Sequence, residues 1–358
     1  MTNIRKLGEL IEWVDTRNKG VISTNLLGIN IEKFFMPSVA NIIGTDLSSY
    51  KLISKNQFAC NPMHVGRDEK MPIALYLNEE PSIVSPAYFV FQPKDLSVVN
   101  PEYLMLWFRR AEFDRECWFH TDGSVRGGIT WDEILDMSVP VPSIEEQNKI
   151  VSSYNDIEKR IKLKKQINDN LDETALTIYK KYFVNDIDVE NLPSGWVMGT
   201  LKDIYQFQYG KGNTNPDNGG QYPIYGSNGI IGGYHEYNNE NEPIIGHIGA
   251  AGSLTFAFGK HYVTYNGIMC NILNPQNIYF GYLTLYSQNL AAQVRGSTQP
   301  FISYDMLYEI KTVIPTDDVL KDFHSKIAPL METKREISRE VEALKQLHVV
   351  LLGKLSSI

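Results

Sequence analysis

The sequence predicts an α+β protein: two mixed α/β domains separated by two long antiparallel coiled-coil helices, with a pseudo-two-fold internal repeat. Three observations predict this fold class. One segment recurs at a fixed offset, two polar stretches show heptad spacing, and the segments between them mix strand and helix patterns. We therefore expect two related but diverged halves.

The repeat is clearest around one short helix. Residues 129–134 (Ile-Thr-Trp-Asp-Glu-Ile) recur as residues 302–307 (Ile-Ser-Tyr-Asp-Met-Leu), and each copy leads to a proline, Pro142 or Pro315. All of these positions are related by one constant offset, the repeat offset, which carries Trp131 onto Tyr304. We expect the same local structure at the end of each domain.

A polar stretch rich in Lys and Glu follows each proline, with apolar residues at heptad spacing. This pattern is typical of a helix that packs on a coiled-coil partner. The first predicted seam comprises Ile150, Tyr154, Ile157, Ile161, Lys164, Asn168, Leu171, Ala175, Ile178 and Tyr182. The second comprises Phe323, Ile327, Leu330, Lys334, Ile337, Val341, Leu344, His348, Leu351 and Leu355. We expect two helices roughly 60 Å long that pack on each other; alternatively, each helix only closes the core of its own domain.

The two globular segments combine strands and short helices. Residues 83–91 and 262–265 are predicted to be strands, and residues 101–113 and 279–290 helices. The two short helices share the pattern Tyr-Leu-x-Leu, but the offset between Tyr103 and Tyr282 is slightly larger than the repeat offset, which indicates insertions. The predicted boundaries are 1–142 (first domain), 143–184 (central spacer helix), 185–315 (second domain, with a linker at 185–194) and 316–358 (distal spacer helix).

Composition narrows the class of protein. Hydrophobic residues make up 43% of the 358 residues, which is enough for two domain cores. The sequence has neither a signal-peptide pattern nor an apolar run of roughly 20 residues, so we expect a cytoplasmic protein. Its three cysteines lack metal-ligand spacing, so we expect free thiols and no metal. The spacing of His235, His247 and His261 matches no zinc pattern either.

Short motifs, taken in their order, resemble a known family. Residues 142–151 resemble the Pro-x-x-x-Glu-Gln-x-x-Ile helix start of Type I restriction–modification specificity subunits, and residues 192–196 (Leu-Pro-Ser-Gly-Trp) resemble their domain-opening motif. Residues 225–232 and 61–63 resemble recurrent stretches of their recognition domains. The resemblance covers essentially the whole chain. The second long helix departs from it, because residues 315–319 lack the Glu-Gln pair.

The resemblance implies a non-catalytic DNA-recognition subunit with two target-recognition domains. Its implied partners are double-stranded DNA with a bipartite, asymmetric target, two DNA methyltransferase subunits, and restriction subunits in the full complex. S-adenosylmethionine is then expected on the partner methyltransferase, with no cofactor on this chain. The sequence itself is consistent with a non-catalytic chain. The nearest match to an adenine-methyltransferase loop, residues 61–64, lacks the second proline and the aromatic ring.

The formal net charge of −8 is unusual for a DNA-binding protein, because Lys and Arg normally neutralise phosphates. We therefore expect weak DNA binding by the isolated chain. A partner subunit is expected to supply much of the phosphate contact.

Base reading requires donors or amides carried on exposed loops. In the first domain the candidates are Arg17, Asn18, Lys19, His64, Arg67, Lys70 and Arg126. In the second domain they are Lys211, Asn213, Ser227, Asn228, Lys260, Arg295 and Gln299. Any single one of these residues could equally be an ordinary solvated loop residue, so the prediction of a DNA-binding surface rests on the group as a whole. The polar seam residues expected to fix helix register are Lys164, Asn168, Lys334 and His348.

Two other functions remain open from sequence. The chain could be the specificity subunit of a related system whose fused partner both cuts and methylates. It could also be a non-DNA scaffold or a glycan-binding repeat protein, given its aromatic and Gly-rich loops. Binding through phosphate contacts depends steeply on salt concentration and glycan binding should not, which separates these two functions.

Overall fold

The computed structural model describes residues 3–39, 44–121, 127–212, 219–296 and 298–355, except the side chain of His64. The chain divides into two compact units: unit 1 (residues 1–162 and 342–358) and unit 2 (residues 163–341). Each unit contains one globular part and a portion of each long helix. Within the described ranges, none of the helices has the length and apolar character needed to cross a membrane.

Unit 1 consists of short strands and helices followed by a long helix. Its strands are β1 (Asn3–Lys6), β2 (Ile11–Trp13), β3 (Leu26–Ile29), β4 (Phe35–Pro37), β5 (Lys51–Ile53), β6 (Phe58–Cys60), β7 (Ile73–Leu75), β8 (Ser82–Val84), β9 (Phe89–Pro93) and β10 (Ser138–Val141). Its short helices are α1 (Leu7–Leu10), α2 (Val65–Asp68), α3 (Pro101–Phe108), α4 (Ala111–Phe119) and α5 (Trp131–Asp136). The long helix α6 (Ile144–Phe183) begins in this unit.

The strands of unit 1 form three sheets. One is antiparallel, in the order β2-β9-β6-β7. A second has the order β4-β3-β8-β5, with β3 parallel to β8. The third pairs β1 with β10, so the start of the chain lies beside the strand that leads into α6.

Unit 2 has fewer but longer strands. They are β11 (Val197–Thr200), β12 (Tyr205–Tyr209), β13 (Tyr222–Gly226), β14 (Gly229–Tyr234), β15 (Asn239–Gly246), β16 (Leu254–Val263), β17 (Gly267–Ile272) and β18 (Lys311–Ile314). Its short helices are α7 (Ile278–Ser287) and α8 (Tyr304–Tyr308), and the long helix α9 (Asp317–Lys354) begins in it. Six strands form one sheet in the order β12-β17-β15-β16-β13-β14, and β11 pairs with β18.

The two units repeat one strand arrangement, which confirms the predicted internal repeat. The order β2-β9-β6-β7 in unit 1 corresponds to β12-β17-β15-β16 in unit 2. The registers also correspond, since Ile11 lies opposite Pro93 and Tyr205 lies opposite Ile272. The parallel pair β3 and β8 corresponds to β13 and the end of β16. The central strands have the same order in both units, whereas the outer strands of the sheets differ.

The repeat extends to the helices. Helices α5 and α8 begin at Trp131 and Tyr304, two positions that the predicted repeat offset relates. Thr130 caps α5 by accepting the N–H of Glu133 in a capping box, which explains why the helix starts there. In α3 and α7, Tyr103 and Tyr282, the first residues of the shared Tyr-Leu-x-Leu pattern, are both buried.

Three local predictions were wrong in detail. Residues 83–91 form two strands rather than one, because Tyr88 donates its N–H to the carbonyl of Ser85 and closes a turn between β8 and β9. Residues 101–113 form α3 and α4, which are separated at residues 109–110. At the end of α6 the most buried side chains are Tyr179 and Phe183, not Ile178 and Tyr182. A straight helix has 3.6 residues per turn, so its buried line drifts away from a strict heptad.

The two long helices run antiparallel and in contact within each unit. In unit 1 the rings of Tyr154 and His348 stack with centroids 4.1 Å apart. In unit 2 the contacts are polar: Lys164 pairs with Glu340, the Asn168 amide donates to Ser338 (3.2 Å), and Lys334 pairs with Asp172. All four predicted register residues thus lie between the helices. That they set the register stays a prediction.

The helices also cover the core of unit 2. Tyr179 and Phe183 pack against Phe280 of α7, and Phe323 of α9 joins the same aromatic cluster. The pairing of the helices and the closure of a domain core therefore occur together in this unit.

Unit 1 contains a buried ion pair. The Lys33 ammonium lies 2.8 Å from the Asp114 carboxylate, and the two side chains are 5% and 12% exposed. Burial lowers the pKa of Lys33, and the nearby carboxylate of Asp114 opposes this shift. Asp114 also accepts the N–H of Met71, so it connects α4 to the start of β7.

We expect Asp114→Asn to destabilise unit 1 by about 3 kcal/mol, because a buried Lys33 charge loses its partner. Urea unfolding followed by tryptophan fluorescence measures this, since unit 1 contains four of the five tryptophans, namely Trp13, Trp107, Trp118 and Trp131. The control is Glu79→Gln, which breaks the exposed pair with Lys55 and is expected to cost about 0–1 kcal/mol. Equal effects of the two variants would contradict the expectation.

Candidate nucleic-acid interface

In unit 2, several segments meet beyond one edge of the six-stranded sheet. Strands β12 and β15 both run antiparallel to β17, so their C-terminal ends lie at the same edge. Residues 210–212 follow β12, and residues 247–253 follow β15. The N–H of Gly210 donates to the Gly267 carbonyl (2.9 Å), and that of Lys211 to the Val263 carbonyl (3.0 Å). These bonds place Lys211 beside the turn between β16 and β17.

The β13–β14 hairpin turn packs on the segment after β15. Its two central residues, Ser227 and Asn228, lie between the paired Gly226 and Gly229. Gly229 has a φ of +91°, a conformation that favours glycine. The Ser253 hydroxyl donates to the Ser227 carbonyl and joins the two segments.

Gly246 makes this close approach possible. A Cβ atom on Gly246 would overlap the carbonyl oxygen of Ala250 and would lie 2.6 Å from that of Ser227. Both are backbone atoms, so no side-chain rotation can relieve the overlap. Only glycine fits at this position without moving one of the two segments.

A fourth segment, the described part of residues 295–302, which leaves out Ser297, completes the group. Arg295 and Phe301 exchange two backbone hydrogen bonds of 2.9 and 2.8 Å, which closes a small loop. The N–H of Ile302 donates to the carbonyl of His247 (3.0 Å), and Phe301 forms a bridge with Ile248. The loop therefore lies against the segment that follows β15.

The structure brings most second-domain candidates together on these four segments. Lys211, Asn228, Arg295 and Gln299 are exposed, while Ser227 is half-buried, with its hydroxyl 3.4 Å from the Ala250 N–H. Lys260 lies in β16 instead, with its ammonium 4.4 Å from the centre of the Tyr237 ring. Asn213 lies outside the described residues.

The corresponding strands of unit 1 also end at a common edge of their sheet. Strands β2 and β6 both run antiparallel to β9, so the segments that follow them also leave from one edge. Gly66 donates its N–H to the carbonyl of Gly127 (2.9 Å), and Ile129 donates to that of Pro62 (3.3 Å). The Ile129 bond corresponds to the Ile302 bond of unit 2, because the repeat offset carries Ile129 onto Ile302.

Asn18 is a correction to the predicted set. Its side chain is buried, with 0% exposure, and its amide donates to the carbonyls of Ser23 (2.8 Å) and Leu47 (3.1 Å). An amide that is buried and donates to two backbone carbonyls is not available to a base. The adjacent Lys19 is exposed.

The other described candidates of unit 1 are cations with partners on the protein. The Arg17 guanidinium donates to the Ser49 carbonyl (2.9 Å) and pairs with Asp15. Asp68 receives two hydrogen bonds from Arg67, at 2.7 and 2.9 Å.

Lys70 pairs with Glu32 at 3.2 Å. Arg126 and the side chain of His64 lie outside the described residues.

The sequence interpretation missed two aromatic residues. Tyr265 and Phe301 are each 38% exposed. Tyr265 lies in the β16–β17 turn and donates its N–H to the carbonyl of Gly212, next to Lys211, and Phe301 lies on the same segment as Arg295. Aromatic rings exposed beside cations can contact bases or sugars. Their exposure follows from contacts between segments, such as the bridge from Ile248 to Phe301, so no local sequence pattern identifies them.

The histidines and cysteines have other environments. In the described part of the chain, no group of three or more His, Cys, Asp or Glu side chains could hold a metal ion. His247 and His261 are buried, and the three cysteines are buried and unbonded to one another. Burial raises the pKa of each of the three thiols.

Known proteins resemble most of this chain. A family model described as the Type I restriction modification DNA specificity domain matches residues 3–173 and 193–342. The Type I restriction enzyme MjaIX specificity subunit of Methanocaldococcus jannaschii is 25% identical over 307 residues, 74% of this chain and 69% of that protein. The HindI specificity subunit of Haemophilus influenzae is 25% identical over 169 residues, 46% and 36% of the two chains.

A solved structure shows the same fold. The Type-I restriction-modification system S subunit from M. genitalium superposes with a TM-score of 0.53 at 16% identity, over 99% of this chain and 96% of that one.

We expect Gly246→Ala to loosen the four segments of unit 2, because its Cβ would overlap two carbonyl oxygens. Overpacking of this kind costs about 1–3 kcal/mol. Amide exchange of Gly252, which donates to the Gly246 carbonyl, is then expected to accelerate roughly 10-fold. Gly353→Ala in α9 is the control, since its Cβ meets nothing within 4 Å. Unchanged exchange at Gly252 would rule out the close-approach explanation.

Proposed function

Because the chain belongs to the Type I restriction modification DNA specificity domain family, we propose that it is the DNA-specificity subunit of a Type I restriction–modification system. The match to both halves of the chain, at residues 3–173 and 193–342, carries this proposal. The subunit recognises a bipartite, asymmetric target in double-stranded DNA and docks two methyltransferase subunits, with restriction subunits in the full complex. It performs no chemical step itself and acts in the cytoplasm, and S-adenosylmethionine binds to the methyltransferase.

In this proposal residues 1–142 and 185–315 each read one half of the target. The common strand arrangement supports it, because equivalent segments leave the same edge of each sheet. The different residues on those segments support two different half-sites. Where unit 1 has Pro62 after β6, unit 2 has His247 after β15.

The charge distribution supports dependence on a partner. The net charge is −8, and Arg17, Arg67 and Lys70 already have acidic partners on the protein. A phosphate must displace those carboxylates, so the isolated subunit gains little from each contact. Methyltransferase subunits that surround the duplex supply the missing positive charge.

Each half of the target should respond to substitutions in one unit only. We expect Arg67→Ala or Arg126→Ala to relax one half of the methylated motif, and Asn228→Ala or Lys211→Ala to relax the other. A good base contact contributes about 1–3 kcal/mol of discrimination, so relaxed sites should be modified at roughly 10-fold higher frequency than in wild type. The measurement is methylation-sensitive sequencing of cells that express each variant with its methyltransferase.

The control is Lys345→Ala, an exposed residue of α9 that pairs only with the neighbouring Glu342 among the described contacts. It is expected to leave both halves unchanged. A continuous motif, or a motif altered in both halves by one of the loop substitutions, would refute the assignment of one half-site to each unit.

A further inference from the structure

His247 contacts three parts of the unit 2 edge. Its N–H donates to the carbonyl of Asn266 (2.8 Å), which ties it to the turn between β16 and β17. Its carbonyl accepts the N–H of Ile302 (3.0 Å), which ties it to residues 295–302. Its ring lies 4.4 Å from that of Tyr209 and 5.3 Å from that of Tyr265. One residue thus contacts the end of β12, the β16–β17 turn and the 295–302 loop.

The ring adds a directed hydrogen bond to these contacts. Nδ1 of His247 lies 2.6 Å from the carbonyl oxygen of Ile302, and the residue is 5% exposed. A carbonyl oxygen can only accept, so Nδ1 carries the proton and donates it. Together with the backbone bond, this makes two hydrogen bonds between His247 and Ile302. Two bonds fix both the distance and the orientation of the loop that carries Arg295 and Gln299.

The residues proposed to read DNA lie on segments next to those that His247 contacts. Lys211 lies two positions after Tyr209, whose ring packs on His247. Ser227 and Asn228 are joined to the same segment through the hydroxyl of Ser253. The His247 ring therefore contacts the residue two positions before Lys211 and the loop that carries Arg295 and Gln299, while the segment that follows His247 holds the Ser227–Asn228 turn.

Unit 1 retains the backbone bond and lacks the ring contact. At the equivalent position the carbonyl of Pro62 accepts the N–H of Ile129 (3.3 Å). Proline has no side-chain donor, so the second hydrogen bond is specific to unit 2. Any effect of His247 on recognition is therefore restricted to the half-site read by unit 2.

We infer that His247 is a positioning residue for the second half-site: its Nδ1–H sets the placement of the loops that carry Lys211, Asn228, Arg295 and Gln299. This inference rests on the proposed function. His247 itself touches no base in it, because the side chain is buried beneath those loops. It acts through Ile302 and through the rings of Tyr209 and Tyr265.

The test compares His247→Leu, which cannot donate, with His247→Asn, whose amide can donate near the Nδ1 position. Dissociation constants are measured with the subunit in complex with its methyltransferase. The duplexes carry the wild-type target, a substitution in the first half, or a substitution in the second half. We expect His247→Leu to lose roughly 10-fold of the discrimination in the second half and none in the first, as removal of one buried hydrogen bond allows. The discrimination of His247→Asn in the second half should lie within about threefold of that of the wild type.

The controls separate positioning from folding. Resistance of Cys270, which is buried in the core of unit 2, to an alkylating reagent reports whether that unit is folded in each variant. Should His247→Leu fail to fold, His247→Asn is compared with His247→Gln, which places its donor one bond farther out and is expected to lose discrimination. The inference would be overturned if the two variants of the pair that is compared discriminated equally between duplexes with the wild-type and the substituted second half. A change of equal size in both half-sites would also overturn it. A wild-type complex without sequence preference would instead refute the proposed function.

Discussion

The candidate interface of each unit depends on one central strand, β9 in unit 1 and β17 in unit 2. Each of these strands has an antiparallel neighbour on either side. The two neighbours are therefore parallel to each other in direction, and their C-terminal ends meet at one edge. Segments far apart in sequence, such as residues 210–212 and 247–253, are adjacent for this reason. The strand order of the sheet determines where this edge lies, whereas the side chains of the segments that follow the strands determine its chemical character.

Sequence patterns predicted the parts of the fold that depend on local periodicity. The repeat offset relates α5 to α8 and β10 to β18, because each copy carries the same helix-start and apolar positions. The identity of the buried residues near the C-terminal end of α6 was less predictable. Tyr179 and Phe183 are buried by α7 and α9, which are distant in sequence, so a heptad count within α6 could not identify them.

The candidate site was predictable as a group and not residue by residue. Glycine next to a polar residue indicates a turn, and the turns were found at Asn228 and beside Lys211. Gly20 gives the same signal near Asn18, but the Asn18 side chain is buried and bonds the backbone carbonyls of Ser23 and Leu47. The exposure of Tyr265 and Phe301 follows from contacts between segments, such as the bridge from Ile248, which no local pattern encodes.

The buried thiols have a practical consequence for studying the two units separately. An alkylating reagent attacks the thiolate, and burial both blocks access and raises the pKa of each thiol. Reaction therefore requires the surrounding core to open. Cys60 and Cys117 belong to the core of unit 1, and Cys270 belongs to that of unit 2. Mass spectrometry of the labelled peptides would then follow the opening rate of each unit within one unmodified chain, with no introduced probe.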